Sequence, residues 1–188
     1  MAISSSKATS FSVTCALLRM KSVTLFSITT ADTSPMRLAS PWYHCRPLQP
    51  GRKLPFPGSR GCKDATTDAE MIKRWWAAAP SANIGIATGH VVDVIDIDGP
   101  DGIRAWLSLD AWPPILGSVN TPRLGGTHYY LAKTGRGNGA GRMPGIDYRG
   151  MGGYVLAPPS HLDEQPGQPY GGHYTWRQPL TLGEAGAH

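Results

Sequence analysis

Acidic residues are nearly missing from the front of this chain. Residues 1–63 hold one acid, Asp32, against nine Lys and Arg, a local net charge of +8. Residues 64–188 reverse the balance, with twelve acids against nine cations, a net of −3. Charge is scarce throughout, at 16%, which excludes a charge-rich disordered chain and a coiled coil. Cysteine is scarce too. Cys15, Cys45 and Cys62 are odd in number and widely spaced, so they build neither a disulfide framework nor a C-x-x-C metal site, and they suit a reducing cytoplasm. Long apolar runs are missing as well. The longest near the start, Phe11 to Leu18, carries Ser and Thr and is too short to cross a bilayer, which excludes a transmembrane protein.

Glycine and proline are abundant, at 23 and 17 of 188 residues, and they imply many turns and little long helix. The length suffices for one domain with a real core. The basic front half is compatible with a polyanionic partner, as in many unrelated proteins. Residues 1–35 are rich in Ser and Thr and punctuated by Lys7, Arg19 and Lys21. Arg19 and Lys21 break the apolar stretch that a secretory signal requires, although a mitochondrial transit peptide has a similar composition. We read 1–35 as a disordered tail or an extension read from a wrong start, with Met36 a candidate start. A folded domain is expected over 36–180 and a short tail over 181–188.

Arg46 to Pro55 reads as an extended, proline-stiffened loop with exposed cations. Thr67 followed by Glu70 makes a capping box. Ile72, Trp75, Trp76 and Ala79 then fall on one helical face, and Pro80 ends the helix. Asn83 to Gly89 reads as a short strand ending in a turn, and Val91 to Ile97 is a β-branched run expected to be the best buried strand. Pro100 opens a second helix with Ile103, Trp106 and Leu107 on its inner face. Further strands are expected at Gly117–Thr121, Thr127–Ala132, Gly145–Arg149, Tyr154–Ala157 and His173–Trp176, with a glycine-rich hairpin or mobile loop over Gly135–Gly141. Helices early and strands late give an α+β class with a largely antiparallel sheet.

Three segments place polar groups on strands. In Val94-Ile95-Asp96-Ile97-Asp98, alternation puts both carboxylates on one side, Cα atoms roughly 6.5–7 Å apart. At that separation they can converge on a shared cation; a strand-end turn carrying two Asp is the plainer alternative. In Thr121 to Leu131, Gly125 and Gly126 permit close approach of a ligand or backbone, and His128 then points from a strand. A satisfied core histidine would look the same. In Gly145 to Ser160, Asp147 and Arg149 share a strand face, either as a salt bridge or as a metal ligand beside a phosphate-binding cation. Taken together, three carboxylates, a His and one or two Arg are what two-metal phosphoryl transfer requires, and hard oxygen donors select Mg²⁺ or Mn²⁺.

The ordered segments KDATTD, RWW, ANIGIATG, VIDIDG, TPRLGGTHYYL, GIDYRGMGGYVLAPPS and Tyr174-Thr175-Trp176 resemble the bifunctional DNA primase/polymerase domain of the archaeo-eukaryotic primase superfamily, typical of phages, plasmids and integrated elements. The resemblance runs from roughly Arg46 to Trp176. It implies an N-terminal α/β module packed on an RRM-like, mostly antiparallel sheet. It also implies template-directed nucleotidyl transfer to a 3′-hydroxyl with release of pyrophosphate. By position, its acid-hydrophobic-acid motif falls on Asp96 and Asp98, its small-x-His motif on Gly126-Thr127-His128, and its hydrophobic-Asp motif on Ile146-Asp147. The implied metal ligands are therefore Asp96, Asp98 and Asp147. His128 would contact the nucleotide, together with Arg123, Gly125, Gly126 and Arg149. The implied partners are a single-stranded DNA template and ribo- or deoxyribonucleoside triphosphates, with no membrane. The sequence shows no Walker A segment, so a replicative helicase is expected as a separately encoded partner.

The rival readings are an inactive nucleotide- or DNA-binding remnant of such a domain, and a metal-dependent nuclease or phosphohydrolase using the same carboxylates. Among weaker signals, Gly135–Gly141 lacks the strand–helix context of a dinucleotide fingerprint and reads as a flexible loop. His161 and His173 read as solvated, and Trp75, Trp76 and Trp106 as core. Arg52, Lys53, Arg60 and Lys63 are either contacts to template phosphates or exposed charge.

Overall fold

The computed structural model of the chain describes residues 43–168 and 170–182; the tail expected at 1–35 lies outside the described residues, as do 183–188 of the tail expected at 181–188. The first two residues of that second tail instead pack on the domain, with the Thr181 N–H donating to the Leu116 carbonyl at 2.9 Å and Leu182 against the core. The observed class is α+β. A three-stranded sheet is formed by β1 (Cys45–Leu48), β2 (Asn83–Ala87) and β8 (Tyr154–Ala157), with β2 in the middle. A six-stranded sheet runs in the order β11 (Thr175–Gln178), β4 (Gly117–Asn120), β5 (Thr127–Ala132), β3 (Val92–Ile97), β7 (Ile146–Arg149) and β6 (Gly139–Met143). The two-residue strands β9 (His161–Leu162) and β10 (Gly172–His173) make a small separate ribbon. All these strand pairings are antiparallel.

Helix α1 (Ala69–Ala78) starts at Asp68, whose Oδ1 accepts the N–H groups of Glu70 at 2.9 Å and Met71 at 3.2 Å. The expected cap at Thr67 is therefore corrected by one residue: the Asp68 side chain is the one that meets the free N–H groups of the first turn, and its negative charge suits a helix N-terminus. Ile72 is fully buried beneath this helix, and Trp75 and Trp76 pack half-buried on the core, as their spacing predicts. Helix α2 (Gly99–Leu107) carries Pro100 in its first turn. Its expected inner face is only partly right: Trp106 is buried, whereas Ile103 and Leu107 are exposed. Gly102 takes the inner position instead, where a side chain would collide with the carbonyl of Gly145.

Two proline- or glycine-rich stretches read as loops are strands. Cys45–Leu48 pairs with Ile86–Asn83, and Pro47 is tolerated because β1 is an edge strand. Gly139–Met143 pairs with β7 through an irregular register. The expected strand His173–Trp176 is two strands, since β10 ends at His173 and β11 begins at Thr175.

One core joins the two sheets. Val92, Val94, Val119 and Tyr130 of the large sheet cluster with Leu48, Ile84, Ile86 and Val155 of the small one. On the opposite face of the large sheet, α2 lays Trp106 over Ile97 and Ile146. Strand β3 is thus covered on both sides, which fits its β-branched composition. No helix among the described residues is long and apolar enough to cross a membrane.

Candidate functional site

Register places the polar residues of β3, β5 and β7. Asp96 lies opposite His128 on one side and opposite Asp147 on the other, so three chemistry-bearing side chains stand in one row across the middle of the sheet. Directly opposed residues share a face, and this is the face that carries Val94 and Tyr130 into the core. The row lies two residues further along β3. Arg149 sits two residues beyond Asp147 on the same face. Its Nη2 donates to Asp147 Oδ2 at 2.6 Å and to Asp96 Oδ2 at 3.3 Å. One guanidinium therefore bridges two carboxylates that would otherwise repel each other.

His128 is 3% exposed, and its Nε2 stands 3.4 Å from Asp96 Oδ1. Burial holds its pKa below the ordinary histidine value, a pull that the Asp96 charge opposes only in part. The imidazole is consequently neutral at pH 7, and its Nδ1 is buried with no hydrogen-bond partner among the described residues. Tyr174 packs beside it, ring centroids 5.6 Å apart.

A pocket of about 240 Å³ opens onto the Asp96 and His128 end of this row, lined by these two with Arg149, Tyr174, Lys53, Asn138, Gly152 and Gly153, while Asp147 stands behind Arg149 outside its lining. Lys53, weighed as a contact to template phosphates or as exposed charge, lines this pocket, where the Tyr154 hydroxyl donates to its backbone carbonyl at 2.7 Å. Its charge is felt at His128.

Asp98 follows β3 at the N-terminal cap of α2 but makes no capping hydrogen bond. It pairs instead with Arg123, Nη1 to Oδ2 at 2.8 Å, and this hydrogen bond raises the pKa of Arg123. Asp98 remains near enough that its charge, like that of Asp96, acts on His128 and Tyr174. Arg123, Gly125 and Gly126 line a different and larger cavity of about 800 Å³, with Trp106, Trp112, Tyr129 and Arg177. Gly125 adopts φ +72, and Gly126 closes the turn by donating to the Arg123 carbonyl at 2.8 Å. The two glycines are thus at the turn before β5 rather than in the pocket with Asp96.

Of the four N-terminal cations, only Lys53 lines that pocket. Arg60 is paired with Asp64 at 2.9 Å, while Arg52 and Lys63 are exposed. Asn138, Gly152, Gly153 and Tyr154 are the lining residues that sequence reasoning passed over. Asn138 sat in a segment read as a flexible loop, and nothing in its local pattern signals where the chain carries it.

Among the described residues no group of three or more His, Cys, Asp or Glu side chains is gathered closely enough to hold a metal ion. The gathered set is a pair, Asp96 and Asp147, already around one positive charge. Hard carboxylate oxygens in pairs fit Mg²⁺, which keeps several waters and takes one or two carboxylates plus substrate phosphates. Asp98 is the nearby third donor.

The comparison with curated proteins returns no match. The sequence does match the model of the family described as bifunctional DNA primase/polymerase, N-terminal, over residues 36–187, a span that contains every residue of the row and its pocket, and the chain belongs to that family.

Proposed function

We propose that the chain is a divalent-metal-dependent DNA primase and polymerase. It joins a nucleotide to a primer 3′-hydroxyl on a single-stranded template, in replication of a phage, plasmid or integrated element. The observation that carries this reading is the pair Asp96 and Asp147, on adjoining strands, gathered around one positive charge beside a buried neutral imidazole. Family membership supports the same activity. The α+β architecture supports a primase-like core over 36–180, in which β1, β2 and α1 form an N-terminal module, completed by β8 from later in the chain, against the RRM-like large sheet.

The reaction forms a bond between the primer 3′-oxygen and the α-phosphorus. It breaks the α–β phosphoanhydride bond and releases the hydroxyl proton and pyrophosphate. Asp96 and Asp147, with Asp98 beside them, would hold Mg²⁺ or Mn²⁺, which when bound supplies Lewis-acid stabilisation of charge on the phosphate oxygens. Arg149 and Lys53 neutralise the remaining phosphate oxygens; the fork of Arg149 can hold two of them at once. His128, uncharged and fixed by burial, orients the triphosphate by hydrogen bonding. Preorganised donors of this kind act where charge develops and need no rearrangement during the reaction. Arg123 stands further off, at the edge of the neighbouring cavity, and is freed for an anion only when Asp98 turns away.

Asp96→Asn and Asp147→Asn test the reading. Each should reduce metal-dependent extension of a primer by more than about a hundredfold, with an unchanged circular dichroism spectrum. Undiminished extension by either folded variant would overturn the assignment, and shortening of the DNA in place of lengthening would favour a nuclease.

A further inference from the structure

The glycine-rich connection between β5 and β6 is pinned, and its anchor is a buried carboxylate on the face of β3 that does not carry the site. Asp93 is 0% exposed. Its Oδ2 accepts from the Thr134 backbone N–H at 2.7 Å, the Thr134 hydroxyl at 2.8 Å and the Tyr148 hydroxyl at 2.5 Å. Beyond this anchor the connection threads along the turn before β8. The Met151 N–H donates to the Arg136 carbonyl at 2.8 Å, and the Asn138 N–H donates to the Met151 carbonyl at 3.0 Å. Two glycines make room for it. A side chain at Gly150 would strike the Arg136 carbonyl, and one at Gly153 would strike Asn138 Oδ1.

These contacts hold the exposed Asn138 side chain in the wall of the pocket that contains Lys53, Asp96, His128 and Arg149. Its carboxamide makes no hydrogen bond to another described residue, so its donor and acceptor are both available. The cations of that pocket suit phosphate oxygens, which only accept. A carboxamide both donates and accepts, which matches a sugar hydroxyl or a base edge.

We propose that Asn138 is a specificity-determining residue that hydrogen-bonds the uncharged nucleoside part of the incoming nucleotide. This inference rests on the nucleotidyl-transfer reading above. Asp93, Thr134 and Gly153 are positioning residues that act through Asn138.

The test is equilibrium binding of a deoxynucleoside triphosphate and of inorganic tripolyphosphate to the full chain with Mg²⁺, by calorimetry, for wild type, Asn138→Ala and Gly153→Ala. Asn138→Ala should weaken nucleotide binding roughly three- to tenfold while leaving tripolyphosphate within twofold. Gly153→Ala, whose new methyl displaces the exposed carboxamide and presses on the buried Thr88 hydroxyl, should give the same split with an unchanged circular dichroism spectrum. Unchanged nucleotide affinity in Asn138→Ala overturns the inference. So does an equal loss for both ligands, which would assign Asn138 to the phosphates. Wild-type chain that binds neither ligand would overturn the nucleotide reading itself, and this inference with it. Asn138 is exposed, so its truncation should leave the thermal melt unchanged and the comparison interpretable.

Discussion

Arg149 serves two partners that compete. Its Nη2 sits between Asp147 and Asp96, at 2.6 and 3.3 Å, on the oxygens that a divalent ion needs. Arg149→Ala should therefore bind Mn²⁺ about tenfold more tightly than wild type when no nucleotide is present, because a charge-assisted hydrogen bond no longer has to be broken. It should bind nucleotide less tightly, having lost a phosphate contact. Free Mn²⁺ counted by electron paramagnetic resonance checks the first point; equal affinities would show that the bridge does not compete with the ion. Much of this arrangement can be read from alternation alone. Asp96 with Asp98 and Asp147 with Arg149 are two residues apart on strands, so each pair shares a side. Alternation says nothing about a partner from elsewhere in the chain, which is why the turn of Asp98 toward Arg123 and the arrival of Asn138 are not legible in it, and why it does not single out Lys53 among the four N-terminal cations.

The elements are legible where a local pattern settles them. Helix α1 has both an apolar face and a start signal, and only its cap, Asp68 in place of Thr67, differs from what the pattern predicts. Asp68→Ala should lower stability by about 1 kcal/mol in urea unfolding, while Thr67→Ala should change it by less than half as much, since Asp68 accepts two N–H groups of the first turn. The reverse order of effects would restore the Thr67 capping box. Strands β3, β5 and β8 follow from β-branched and aromatic runs. Strands β1 and β6 do not, because their sequences carry Pro47 or two glycines and an intrinsic preference against strand. They are strands because their neighbours offer an unpaired edge, which is a tertiary effect. Helix α2 shows the same lesson: periodicity put Ile103 and Leu107 inward, but the close approach of Gly102 to Gly145 turned the helix and left both exposed.

At the scale of the whole molecule, the site depends on one pairing choice. β3 lies between β5 and β7, strands that follow it by about 30 and 50 residues, and only that order sets Asp96 between His128 and Asp147. Propensity can name the strands, but their order comes from burying two faces of β3 at once, one against the small sheet and one under α2. The same packing makes the pocket, since its wall at Gly152–Leu156 belongs to the turn and strand that complete the small sheet. The central claim is that this junction performs template-directed nucleotidyl transfer. The most direct measurement is single-nucleotide extension of a labelled primer on four single-stranded templates that differ only in the next base, with Mg²⁺ or Mn²⁺ and with chelator. The account predicts one added nucleotide complementary to each template base, one pyrophosphate released per addition, and no product with chelator or in Asp96→Asn. Addition that ignores the template base, or that persists in folded Asp96→Asn, would contradict it.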